Sequence, residues 1–185
     1  MRSHIPAGVL VFAVASALGC APALTVGSSA ATDLQPSAYR TYMWETPDAL
    51  PTGDPRLDNN PFFVQTLQQA ADSQLAKLGL SRSSFSADLV VHFHATVRDR
   101  VNVYEVDRAA GMDQTGYPRA SEAQQYEEGT VLLNMAEAKG KKLIWRGWMQ
   151  TDISGAIGND AVLGKRLRDG MVKLFAQFPA GCISR

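Results

Sequence analysis

The stretch "ADLVVHFHATVRDR", residues 87–100, constrains the fold more than any other. Leu89, Val91, Phe93, Ala95 and Val97 alternate with Val90, His92, His94, Thr96 and Arg98. A period of two is the pattern of a strand with one buried face, so the chain must supply an apolar layer to cover that face. His92 and His94 then share the opposite face, with side chains rooted roughly 6.5 to 7 Å apart.

The covering layer is legible on both sides of this strand. Asn60 stands before Pro61, an N-cap followed by the residue best suited to the first helical position. Phe63, Leu67, Ala70, Ala71, Leu75 and Leu78 then recur at helical spacing, and Gly79 closes the element. Near the other end Leu163, Leu167, Gly170, Met171, Leu174, Phe175 and Phe178 form a second amphipathic helix, stopped by Pro179.

Further strands are expected at "YRTYMWE", residues 39–45, and in a hairpin made of residues 127–138 and 141–152 that turns through "AKGKK". Along the hairpin's second strand Leu143, Trp145 and Met149 alternate with Ile144, Arg146, Trp148 and Gln150, so that one tryptophan faces the helices and the other faces outward. The loop at residues 46–60 is kept irregular by Pro47, Pro51 and Pro55. After the histidine strand, residues 101–126 continue or pair with it briefly and then form a polar excursion. The expected class is α+β: a mostly antiparallel sheet of about four or five strands with two amphipathic helices packed on one face. At 185 residues and 45% hydrophobic the chain suits one such domain.

The N-terminus carries a different message. Arg2 precedes an apolar run from about Ala7 to Leu18, and "ALGC" follows, ending in Cys20. That is the layout of a secretory signal peptide. The tetrapeptide resembles the lipobox of bacterial lipoproteins, in which the cysteine thiol takes a diacylglycerol and becomes the first residue after cleavage. Residues 1–19 are therefore expected to be a signal peptide, with Cys20 lipidated and inserted in a bilayer. A retained spanning helix and an ordinary signal peptidase site in "APALTVGSSA" are the alternatives; Pro6, Gly8, Gly19 and Pro22 interrupt the first, and the second leaves the place of Cys20 unexplained.

Residues 20–38 read as a flexible tether reaching on the order of 23 Å, residues 39–180 as the folded domain, and residues 181–185 as a tail. Cys182 then has no partner in its own chain, which leaves an unpaired thiol or an intermolecular disulfide. Ala21 follows Cys20 where, in enteric bacteria, an aspartate would resemble an inner-membrane retention signal, so the expected location is the cell envelope, facing the periplasm from the outer membrane. Lys+Arg and Asp+Glu are 18 each, a balance that gives no field for nucleic acid.

Several separated segments together resemble one family. "YRTYMW", "DPRLDNN", "SADLVVHFHATV", "YEEGTVLLNMAEAKGKKLIWRGW" and "LFAQFP" occur in the order found in the DUF4136 family of bacterial lipoproteins, over about residues 39–180. The resemblance implies the same α+β domain, with two helices on one face of the sheet. It implies no activity, because these segments mark the fold and none is catalytic. The family's Gly- and aromatic-rich stretch before the hairpin is replaced here by "DRAAGMDQTGYPRASEAQQ", so nothing attached to that stretch carries over.

Two functional readings follow. No nucleophile elbow, phosphate loop, His-Glu-x-x-His or dinucleotide motif is present, and no cofactor is indicated. The first reading is a non-catalytic envelope lipoprotein whose outer sheet face, with His92, His94, Arg146 and Trp148, binds or braces an envelope partner or ligand. The second is a small hydrolase or metal-binding enzyme built on His92 and His94. It lacks a third histidine once His4 leaves with the signal peptide, and would need carboxylates from neighbouring strands.

Overall fold

A computed structural model describes residues 23–45, 52–58, 60–101 and 125–179. Its strands are β1 (Leu24–Ala30), β2 (Thr41–Trp44), β3 (Ser81–Arg82), β4 (Leu89–Val101), β5 (Gln125–Glu137) and β6 (Leu143–Asp152). Helix α1 (Pro61–Lys77) follows β2, helix α2 (Asp160–Phe175) follows β6, and a single 3-10 turn covers Pro36–Ala38. Among the described residues no helix is long and apolar enough to cross a membrane.

Both helices begin where local chemistry favours it. The Asn60 side chain accepts the Phe63 N–H at 3.1 Å and Pro61 takes the first turn, while Asn159 accepts the Val162 N–H at 3.2 Å. Each cap satisfies a backbone donor that the first helical turn leaves open. Gly79, at φ 78°, takes the left-handed conformation that lets the chain turn out of α1 toward β3.

Among the described residues the sheet has six strands in the order β1-β6-β5-β4-β2-β3, which corrects the expected four or five. The β4–β5, β5–β6 and β6–β1 pairs are antiparallel, whereas β2 runs parallel to both β3 and β4. The sheet is therefore mixed. The reason is the crossover: α1 intervenes between β2 and β4, so the chain returns to the same end of the sheet before β4 starts.

The larger correction concerns residues 20–38. Leu24–Ala30 is an edge strand with seven paired residues against β6, from Leu24 opposite Thr151 to Ala30 opposite Trp145, so the flexible tether does not extend through this segment. Val26 and Leu24 pack against the core, and Gln177, just beyond α2, donates its side-chain N–H to the Val26 carbonyl at 3.3 Å. Apolar contact on one side and a hydrogen bond across the edge hold in place a sequence too small and polar to announce itself as a strand.

The core lies between the inner sheet face and the two helices. Leu89, Val91, Phe93 and Ala95 of β4 and Val131, Leu133 and Met135 of β5 are buried, as the alternation requires, and they meet Phe63, Leu67, Ala71 and Leu75 of α1 and Leu167, Met171 and Leu174 of α2. Phe93 lies edge-on to both Trp44 and Phe63, at 6.2 and 6.4 Å between ring centres. Trp145, fully buried, packs on Phe175 at 5.4 Å and Phe178 at 5.5 Å. One polar knot ties β2 to α1: Asp72 accepts from Tyr42 Oη at 2.6 Å and Trp44 Nε1 at 2.8 Å, and pairs with Arg82.

In β6 the simple alternation fails at its first step. A bulge at Met135/Ala136 sets Ala136 opposite Leu143 and Met135 opposite Trp145, leaving Ile144 between them. Ile144 and Trp145 are consequently both buried and Leu143 is exposed, the reverse of the expected faces for Leu143 and Ile144. A bulge inserts one extra residue, which changes the facing of everything on one side of it.

Candidate functional site

The outer face of the sheet carries the residues singled out from sequence, and the register fixes how they meet. His92 of β4 is opposite Asn134 of β5, which is opposite Arg146 of β6, which is opposite Ser29 of β1. One pair of residues along, His94, Leu132, Trp148 and Gly27 form the next row. Two strand spacings, roughly 9.6 Å, therefore separate each histidine from the β6 residue of its row. The four are brought to one face as two adjacent rows rather than into direct contact.

Intervening residues knit the rows together. Arg146 Nε donates to Asn134 Oδ1 at 2.8 Å, which aims the exposed guanidinium along its row. His92 Nδ1 lies 3.7 Å from Glu45 Oε2 at the end of β2, and Lys141 approaches the same carboxylate at 3.5 Å, so the His92 row ends in a mixed-charge corner. Beside the second row, Gln150 donates to Thr130 Oγ1 at 3.2 Å.

Trp148 owes its position to a glycine. A Cβ placed on Gly27 would stand 2.4 Å from Trp148 Cζ2 and 2.5 Å from Cε2. The indole therefore lies flat over the β1 backbone, where only glycine leaves room. It is half-buried, as are His92, His94 and Leu132, while Arg146 is exposed. The result is a flat surface with an aromatic and an aliphatic side chain in one row and hydrogen-bonding groups in the next.

Sequence reasoning missed Leu132, Asn134, Gly27 and Glu45. The first two were within reach: once Val131 and Leu133 are taken as inward, Leu132 and Asn134 must point outward beside the histidines. Gly27 and Glu45 were not, since both reach the face through strand pairings distant in sequence. Cys20 and Cys182 lie outside the described residues.

Chemically the face offers imidazole, guanidinium, amide and indole groups in a plane. Among the described residues no group of three or more His, Cys, Asp and Glu side chains converges as a metal-holding set. The described hollows are elsewhere. A cavity of about 40 Å³ lies on the helix side of the sheet, with Leu57, Phe63, Val131, Met149, Ile153 and Leu167 among its lining, and a polar groove of about 280 Å³ runs between α1 and α2 past Gln69, Ser73 and Arg168.

Comparison with known structures bears on the fold. A PDZ domain protein from Parabacteroides distasonis shares 12% identity at a TM-score of 0.52, covering 89% of this chain and 37% of that one, so this chain spans well under half of that relative's length. A DUF4136 family protein from Bacteroides thetaiotaomicron shares 14% identity at a TM-score of 0.48, covering 85% of this chain and 96% of that one. A minor lipoprotein from Acinetobacter baumannii shares 10% identity at a TM-score of 0.39, covering 75% and 94%. No match was found among curated proteins. The model of the family described as a domain of unknown function, DUF4136, matches residues 27–180, from the middle of β1 through β2–β6 and both helices, and the chain belongs to that family.

Proposed function

We propose that this chain is a non-catalytic lipoprotein of the cell envelope, held to a bilayer through acylated Cys20, that binds or braces another envelope component with the outer face of its sheet. The observation that carries the binding half is the pair of rows His94–Leu132–Trp148 and His92–Asn134–Arg146, which align across three strands. Tryptophan and arginine beside a flat, half-apolar surface are the residue types that dominate protein interfaces. The anchor half rests on "ALGC" at the end of an apolar run and on membership in a family that the sequence resembled as lipoproteins. Outer-membrane sorting is the finer part of this reading, from Ala21 after the cysteine.

Two experiments test it. Mass spectrometry of the mature N-terminus should find an acylated Cys20; an unmodified chain beginning at Leu24 or Ala31 overturns the anchor. A photo-crosslinking residue placed at Leu132 should capture a defined envelope component in intact cells, and one at Gln69 on the helix side should not. Capture should drop when Trp148→Ala and Arg146→Ala are combined. Equal yields from both faces, or yields indifferent to the double change, refute the sheet face as the binding surface.

A further inference from the structure

We infer that the bilayer surface lies against one corner of this domain, where β1 begins, with the loop bearing Phe85 held away from it. The inference rests on the acylation of Cys20 proposed above and adds to it the length of the leash and the place in the fold where it is tied. Only Ala21, Pro22 and Ala23 separate Cys20 from Leu24, the first residue of β1. Four Cα steps reach at most roughly 14 Å. Had residues 20–38 been a tether, the domain would have stood free of the surface; with β1 paired along its whole length, it cannot.

The sheet topology says which parts of the domain that leash keeps close. Leu24 is opposite Thr151, at the end of the sheet where β5 starts, β6 ends and α2 begins. Arg166, in the second turn of α2, donates to the carbonyl of Asp152, the last residue of β6, so the first turn of α2, including exposed Ala161, belongs to that end. The β3–β4 loop belongs to the opposite edge and the opposite end: β1 and β3 are the two edge strands of six, and Leu89, where β4 starts, is opposite Glu137 beside the β5–β6 turn. Five strand spacings across and about eight residues along give a diagonal on the order of 35 Å between the two corners.

Among the described residues neither face offers the lipid a reason to pull the domain flat. An interfacial surface needs a continuous apolar stripe. The large hydrophobic side chains exposed among the described residues are Phe85, Leu143 and Val172, which sit on the β3–β4 loop, at the start of β6 and on α2, too scattered to form one. The helix side presents Gln69, Ser73, Lys165, Asp169 and Lys173, and the outer sheet face ends in Arg98, Arg100, Glu128 and Asp152. The domain therefore pivots on its anchored corner, and Phe85, 98% exposed in a loop whose ends are tied by Ser83 N–H to Tyr42 O and by Asp88 to Thr41, stands at the far corner.

The test uses the full acylated chain in phosphatidylcholine vesicles containing a lipid with a nitroxide headgroup. In a Cys182→Ser background a fluorophore is attached at Ala161→Cys or at Phe85→Cys, acylation having consumed the Cys20 thiol. Quenching at residue 161 should exceed that at residue 85 several-fold, and inserting about ten Gly-Ser residues between Ala23 and Leu24 should remove the difference by lengthening the leash. Equal quenching at the two sites in chains that float with the vesicles refutes the orientation while leaving the anchor intact. A chain that does not float, with Cys20 open to labelling, refutes the anchor and the orientation with it.

Discussion

Trp145 is the largest fully buried side chain, and its indole N–H meets no acceptor among the described residues. Two substitutions separate what its volume contributes from what its nitrogen costs. Trp145→Ala empties the space against Phe175 and Phe178 and should destabilise the protein by about 4 kcal/mol, the middle of the range for large aromatic truncations. Trp145→Phe keeps a ring against both neighbours and gives up only part of that volume, a loss on the order of 1 kcal/mol. It also removes a buried donor with no partner, which is worth about 1 to 3 kcal/mol.

The two terms oppose each other, so the Phe variant should range from unchanged to about 2 kcal/mol more stable than the parent. Equilibrium urea unfolding followed by far-ultraviolet circular dichroism measures both variants without relying on the tryptophan signal. The slope against urea should stay constant, which ties any midpoint shift to stability. A Phe variant that loses as much as the Ala variant would show that the indole N–H is satisfied and that the packing argument has been misassigned.

Phe93→Ala, between Trp44 and Phe63, should cost about 3 to 5 kcal/mol in the same unfolding experiment, whereas His92→Ala and His94→Ala, on the outer face, should each change stability by about 0.5 kcal/mol or less. A rise in melting temperature on adding zinc or copper, lost in either histidine variant, would instead support the metal-binding reading. Gly27→Ala should force the Trp148 ring off β1, seen as a red shift of tryptophan emission with a loss of about 1 kcal/mol; an unshifted spectrum would mean the ring does not lie on Gly27. The Tyr39 hydroxyl, burdened first by burial and then by its 2.8 Å hydrogen bond to Glu137, has its pKa pushed up to about 12. Because the folded value lies above the ordinary tyrosine value of about 10, this stabilisation is complete below pH 10 and lost as pH rises through 12. The stability difference between the parent and Tyr39→Phe should shrink over that window, and a difference that does not vary with pH would refute the linkage.

What the sequence determined by itself was everything governed by local periodicity and local capping. Leu89 to Val97 could bury only one face, Asn60-Pro61 could only start a helix, and Leu163 to Phe175 had to cover an apolar layer; these are short-range constraints that any folded context must respect. They also sufficed to put His92 and His94 on one face and to suggest that Trp148 and Arg146 lie with them. Tertiary structure decided what depended on partners far along the chain. Leu24–Ala30 becomes a strand because β6, more than a hundred residues later, offers an edge, and Gly27 matters because Trp148 lies over it. The parallel pairing of β2, the bulge that turns Ile144 inward and Leu143 outward, and the contact of β1 with Gln177 just beyond α2 have the same origin. Register and strand order are set by how whole layers fit together, and a seven-residue polar strand carries too little apolar pattern of its own to signal where it belongs.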